Sequence, residues 1–414
     1  LENQGANTAD IVVVAMSPAG DVRWARSIGS PRVDSSDSLA IDASGNAYLA
    51  GRVNSGSGAN GVTVTVSALP QVNDVASTTF TVDDEAAFVA KFSPEGSLLW
   101  ATTIDGTEDE RAFAVAVTGD TVLVGGTTSS STTTVSATSG PASAITGTSF
   151  GFADGFVAAL DATGVPLWTT RIGGTGADEV YDLAVVSASR PVVALATIDG
   201  QATVAGTWVT ASIPVDSGQG GTDVVVMSLD DNGTPASSGP WFQRIGGPGS
   251  DEPEAMASND TSIRVAATIR GPGTVAASTP YTSISTLALP ADMLLARFAS
   301  DLSFDASATN PSVIGTLRNS EPRAITITPD GGDLTTGFYD APNTSGQRFA
   351  IVKRSADGTL EWIRTIGDAA RSIGQAVAVD ALGNIYLTGR FPGGDIDPSP
   401  TATMNVATAG GSDI

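Results

Sequence analysis

Apolar residues in this chain come in short runs, each closed by a turn rich in Gly, Pro, Asp, Asn or Ser. The fullest example spans 84–125. It reads Ala87-Phe88-Val89-Ala90-Lys91-Phe92, a Ser-Pro-Glu-Gly turn, Leu98-Leu99-Trp100-Ala101-Thr102-Thr103-Ile104, an acidic loop, Ala112-Phe113-Ala114-Val115-Ala116-Val117, a Gly-Asp turn, and Thr121-Val122-Leu123-Val124-Gly125. Runs this short, rich in Val, Thr and aromatic residues and punctuated by Gly and Pro, predict strands and not helices. The unit is therefore four strands and three turns.

The same pattern returns along the whole chain. A hairpin of the first kind, strands C and D of the repeat, starts at Ile11 and recurs over 88–104, 156–172, 224–245, 293–317 and 350–366. A hairpin of the second kind, strands A and B, begins near Ser38, Ala112, Asp182, Ala255, Ala324 and Ala376. Trp24, Trp100, Trp168, Trp241 and Trp362 mark strand D, and the copy between Asp292 and Leu317 lacks the tryptophan. A period of roughly 70 residues with four strands per period predicts propeller blades. The expectation is an all-β, six-bladed β-propeller of four-stranded blades, with residues 1–9 as an N-terminal arm and 10–414 as a single propeller domain. It is closed by pairing the N-terminal hairpin with the C-terminal hairpin, which would leave no free sheet edge.

Between strands B and C lie insertions at 54–83, 127–153, 200–222, 271–291, 340–347 and 391–412. Alternation such as Val62-Thr-Val-Thr-Val66 predicts extra hairpins or ordered loops, and the reading places these B to C insertions on one face as a variable binding surface.

Composition narrows the function classes. Charged residues are 15% of the chain and one-sided, with 44 acids against 20 bases and a net charge of -24. Such a field repels phosphate backbones and anionic lipid, so nucleic acid is not an expected partner, and no apolar run predicts direct membrane insertion. Cys and His are absent, which removes disulfides, thiolate nucleophiles and the usual zinc ligands.

The repeat resembles the bacterial SBBP-type β-propeller repeat. The likeness runs through Asp154-Gly-Phe-Val-Ala, Leu167-Trp168, Ile172-Gly-Gly and Asp178 in one copy, and through Val379-Asp380-Ala-Leu-Gly-Asn384-Ile-Tyr-Leu-Thr-Gly389 in another. The resemblance implies an exported or cell-surface bacterial protein, and it carries no catalytic residues to transfer.

Candidate chemistry lies in the acids. One recurs before strand A as Asp34, Glu110, Asp178 and Asp251, with Ser320 or Glu321 and Ser372 in the other copies. It reads either as a carboxylate ring at a channel mouth or as a cap on the turn from D to A. A second opens strand C as Asp10, Asp154, Asp223 and Asp292. The pairs Asp178 with Glu179, Asp251 with Glu252 and Asp395 with Asp397 are weak Ca²⁺ candidates, because calcium takes six to eight oxygens; none has a recognised loop spacing, and no other cofactor is expected. Trp208 stands outside the repeat position, where it suits stacking on a sugar or burial under its own hairpin.

Catalysis has little support, since no His serves a triad and no nucleophile elbow occurs. The expected function is a non-catalytic exported or cell-surface scaffold binding protein or polysaccharide. The alternatives are a carbohydrate-active enzyme using carboxylates at the channel mouth and a structural subunit of an extracellular appendage.

Overall fold

The computed structural model describes residues 9–390, apart from 55–61, 69–77, 83–84, 139–142, 146–150, 187–191, 207–209, 214–219, 238, 277–278, 285–290, 306–308, 316–317, 341–345 and 367–370. The described residues form strands and turns, with no helix, and every strand pair is antiparallel. The chain divides into two compact units, one made of residues 1–185, 201–214 and 229–235, the other of 186–200, 215–228 and 236–414.

The first unit holds three sheets in chain order. Ile11–Met16 and Val22–Gly29 begin the first. Ser35–Ile41, Ala47–Asn54, Glu85–Phe92 and Leu98–Asp105 make the second, and Glu110–Thr118, Thr121–Thr128, Asp154–Leu160 and Pro166–Gly173 the third. Glu179–Ala184 follows and packs on Glu110–Thr118. In the second unit, Val192–Asp199, Thr222–Leu229 and Phe242–Gly246 lie side by side. Two four-stranded sheets follow, Glu252–Asn259 with Ser262–Ile269, Asp292–Ala299 and Ser312–Ile314, then Ser320–Ile327 with Asp333–Asp340, Gln347–Arg354 and Leu360–Ile366. Ile373–Val379 and Ile385–Arg390 form a final hairpin.

The sheets stack face to face, and the continuous apolar runs explain how. In Glu85–Phe92 every residue is buried; Phe88, Ala90 and Phe92 enter the core shared with the first sheet, while Ala87 and Val89 enter the core shared with the third. A strand buried on both faces has no polar side, so its sequence loses alternation. In the second unit, one core lies between the sheets starting at Glu252 and Ser320, and another between the latter and the final hairpin.

Among the described residues four of the insertions form hairpins, and these lie along sheet edges instead of on a free face. Val62–Ala68 pairs with Val22–Gly29, Thr134–Ala137 with Leu98–Asp105, Ala202–Gly206 with Pro166–Gly173, and Gly273–Val275 with Phe242–Gly246. Each of these insertions thus adds two strands to the outer edge of the preceding sheet, making six strands in three of the sheets and four in the first. The reason is physical: strand D otherwise presents unpaired N–H and C=O groups.

Trp24, Trp100 and Trp168 each latch their sheet to the turn that follows in the next copy. Trp24 Nε1 donates to Pro94 O and Trp100 Nε1 to Ala162 O, both at 2.9 Å. Two residues on, Arg26 Nε, Thr102 Oγ1 and Thr170 Oγ1 donate at 2.7 Å to the carbonyls of Gly96, Gly164 and Gly233. These turn glycines have φ of 84°, 84° and 75°, and an added Cβ would fall 2.3–2.7 Å from the tryptophan ring. Both observations require glycine.

The copy without tryptophan keeps its four-stranded order, with Ser312–Ile314 as a short fourth strand. Its turn carries Leu302 at φ 61° in the glycine place, and Gln243 Nε2 donates to Leu302 O at 2.8 Å. Ile11–Met16 has one strand neighbour, Val22–Gly29, and Ile385–Arg390 has one, Ile373–Val379. Among the described residues no sheet closes on itself.

Candidate functional site

The acids before strand A are turned into the protein. Asp34 accepts from Ser30 N at 2.7 Å, Ser30 Oγ at 2.6 Å and Asn54 N at 3.0 Å. Asp178 accepts from Gly174 N at 2.7 Å, and Asp251 from Gly247 N at 3.1 Å and Arg270 N at 2.7 Å. Glu110 accepts from Thr128 Oγ1 at 2.9 Å and Ser130 N at 3.3 Å. All four are buried. Asp34 and Asp251 bond both the residue four positions back and the end of strand B, tying three chain segments together, while Asp178 bonds the former and Glu110 the latter. Ser320 and Ser372 keep the backbone part of this arrangement, donating their N–H to Ala291 O and Gln347 O as Asp34 does to Ala9 O.

Burial pushes the Glu110 and Asp251 carboxyls up to about 7, with the Asp223 charge adding to the latter. Burial also raises Asp34.

The acids opening strand C face a glycine on strand D. The register sets Gly155 opposite Ile172 and Val224 opposite Ile245, which brings Asp154 against Gly173 and Asp223 against Gly246. A Cβ on Gly173 would lie 2.0 Å from Asp154 Oδ1. Asp154 pairs with fully buried Arg171 at 2.8 Å, and Asp223 with Arg244. Asp292 accepts from Ser283 Oγ at 2.6 Å and Ile284 N at 2.7 Å. These are structural ties within a blade.

Glu179 is half-buried and Glu252 is exposed, with Arg270 Nη2 at 3.1 Å from the latter. Among the described residues, no group of three or more acids converges as a metal site would require. Trp208, Asp395 and Asp397 lie outside the described residues.

The side chains that strand A offers to a ligand sit three residues after the acid, and sequence reading passed over them. In five copies the A–B register skips one residue there: Asp37, Phe113, Glu254, Arg323 and Gln375. A β-bulge at this place re-aims the skipped side chain out of the ladder.

In the first unit the bulges gather Asp37, Arg111, Phe113 and Tyr181. Arg111 grips Asp37 through two bonds, Nη2 to Oδ1 at 2.7 Å and Nε to Oδ2 at 3.2 Å. Its guanidinium carbon lies 4.8 Å from the centre of the Phe113 ring, which stacks on Tyr181 at 5.3 Å and 8°. Arg111, Phe113 and Tyr181 are half-buried and Asp37 is exposed. The hydrogen bond to Asp37 holds Arg111 above its usual value. The result is a flat aromatic pair with a fixed cation and an acceptor beside it, which suits stacking on a sugar face or an aromatic side chain.

In the second unit, Arg323 bridges Glu254 at 2.9 Å and Glu321 at 2.8 Å, and Thr268 Oγ1 donates to Glu254 at 2.9 Å. Burial pushes Glu254 up to about 7, against the opposing charge of Arg323, and raises Glu321.

Antiparallel sheets stacked in chain order within each unit, with tryptophans latched to the following turn, make an all-β fold consistent with a β-propeller. Residues 361–390 match the family model described as Beta-propeller repeat, SBBP, so the chain carries a repeat of the family its motifs resemble. No curated protein matches the chain.

Proposed function

We propose that the chain is a non-catalytic, exported or cell-surface propeller of six four-stranded blades that binds polysaccharide or protein through the bulged residues of its innermost strands. The observation carrying the binding reading is the half-exposed stack of Arg111, Phe113 and Tyr181 anchored by Asp37. Aromatic side chains stacked in parallel and left half open are costly unless something covers them.

The closed ring is supported by side-chain parity. In the sheet before the final hairpin, Gly337 stands opposite Ala350; Gly389 and Val12 occupy the same repeat places. Extending that register sets Leu387 opposite Val14 and Ile385 opposite Met16. Leu387 packs on the core of Leu334, Phe349 and Ile351, and Val14 and Met16 are exposed on the face that would join it. Leu39 and Ile41 are likewise exposed on the opening strand A, as Tyr386 is on the final hairpin.

The carbohydrate-active reading draws on Glu254, a buried acid raised to about 7 with Glu321 sharing its arginine. A carboxyl raised by burial is what a general acid requires. One experiment separates the two. Glycans presented on an array should be retained by the chain without release of reducing ends, and Phe113→Ala with Tyr181→Ala should cut retention about tenfold. Turnover of any glycan, abolished by Glu254→Gln, would contradict the non-catalytic reading.

A further inference from the structure

Four strands D are covered at their outer edge in one and the same register. Ile28, Ile104, Ile172 and Ile245 stand opposite Val66, Val135, Val204 and Val275 of the added strands, and all of these side chains are buried. Beside each valine are small or hydroxyl residues, Thr65 and Ser67, Thr134 and Ser136, Thr203 and Ala205, Thr274 and Ala276. Successive side chains of a strand point to opposite faces, so the valine lies over the core and its two neighbours turn away. In every case the added strand comes from the segment that follows strand B of the next copy.

Leu360–Ile366 is also a strand D, and among the described residues it pairs with Gln347–Arg354 alone. Ile366 occupies the place of the four covered isoleucines and is half-buried, packed on the edge of the Leu334, Phe349 and Ile351 core. An open edge with an apolar residue at its end is a template for another strand. Ser312–Ile314 ends its sheet as well, but there residues 341–346 alone join strands B and C, too few to lay two strands along it.

The strand B that follows Leu360–Ile366 is Ile385–Arg390, and the chain runs on from it through 391–412. Its sequence carries the pattern of the covering strands. Ile269-Arg-Gly-Pro-Gly-Thr-Val275 leads from one strand B to a covering valine, and Arg390-Phe-Pro-Gly-Gly-Asp-Ile396 leaves the last strand B through a similar Pro and Gly turn. Val275 stands 17 residues before Asp292, the acid that opens strand C, and Ile396 stands 17 residues before Asp413, which with Ile414 repeats Asp10-Ile11. Two independent spacings therefore set Ile396 in the place of the valine.

We propose that Asp395-Ile396-Asp397 docks as an added strand on the outer edge of Leu360–Ile366, with Ile396 opposite Ile366. The contact lies within the second unit, and it takes Asp395 and Asp397 into the places of Thr274 and Ala276, where both carboxylates face water and discourage a further strand from joining. Hydrogen exchange of the full chain read by mass spectrometry tests it. The outward N–H groups of 360–366 exchange slowly, as those of 242–246 do, and Ile396→Pro, which cannot donate to the ladder, speeds them about tenfold or more without changing 242–246. Fast exchange in the unaltered chain, or exchange untouched by Ile396→Pro, overturns the proposal. So does protection that vanishes on dilution together with a dimer in sizing chromatography, since a second copy then covers the edge. Should Ile396→Pro fail to fold by circular dichroism, Ile396→Ser takes its place, with the same local loss expected and an unchanged rate counting against the pairing.

Discussion

At the residue scale, the acids of the repeat act as fasteners. Asp34 and Asp251 each satisfy N–H groups from two segments that approach strand A, while Glu110 satisfies that of Ser130 and Asp178 that of Gly174. Their recurrence is visible in the sequence, whereas the partnership of Asp154 and Asp223 with the first Gly of each Gly-Gly pair emerges only from the register, where a Cβ would strike the carboxylate. The bulged positions Asp37, Phe113, Glu254 and Arg323 escape notice because they share no chemistry from copy to copy. Only the register reveals that they occupy one place.

The buried acids also set a pH dependence. Glu110, Asp251 and Glu254 hold their proton to about 7 when folded, against roughly 4 in an unfolded chain. Between those values the folded chain binds more protons, so its stability is fully present below the lower value and falls as pH rises through the upper one. Asp330, held at about 2 by Thr328 and Lys353, acts below this window. Thermal melts should give a higher Tm at pH 5 than at pH 8, with the difference reduced in Glu110→Gln. Equal Tm values, or a higher one at pH 8, would mean these carboxyls are ionised in the fold.

At the element scale, the hairpin is the unit of meaning. Continuous apolar runs such as Ala87 to Phe92 identify strands covered on both faces, and the cores to either side of that strand bear this out. The insertions were legible as hairpins from alternation, as in Val64 and Val66, which are buried with Phe80 and Val82. Their destination was not legible, because alternation marks an apolar side without saying which sheet edge it meets. The tryptophan latch was legible as a recurrence, and its partner was not, because the turn it grips belongs to the next copy. Trp100→Phe removes the Nε1 donor, strands Ala162 O and should cost about 1–2 kcal/mol in chemical denaturation. Unchanged stability would show that the ring contact with Gly164 carries the latch alone.

At the scale of the whole molecule, sheets in chain order with shared cores account for how a chain of 414 residues with so few charges and no cysteine folds, with no helix among its described residues. The four-strand period was legible in the sequence, and the matched repeat at 361–390 falls on the last three described strands. Closure is a question of register between the first hairpin and the last, and four sheets share the register between strands B and C that closure would need. The chain has no cysteine of its own, so the pair Val14→Cys with Leu387→Cys can be read without interference. Under mild oxidation of dilute protein, a closed ring predicts an intramolecular disulfide seen as one linked peptide in mass spectrometry of the monomer. Free thiols throughout, or a bond that appears only in dimers, would contradict the closed six-bladed ring.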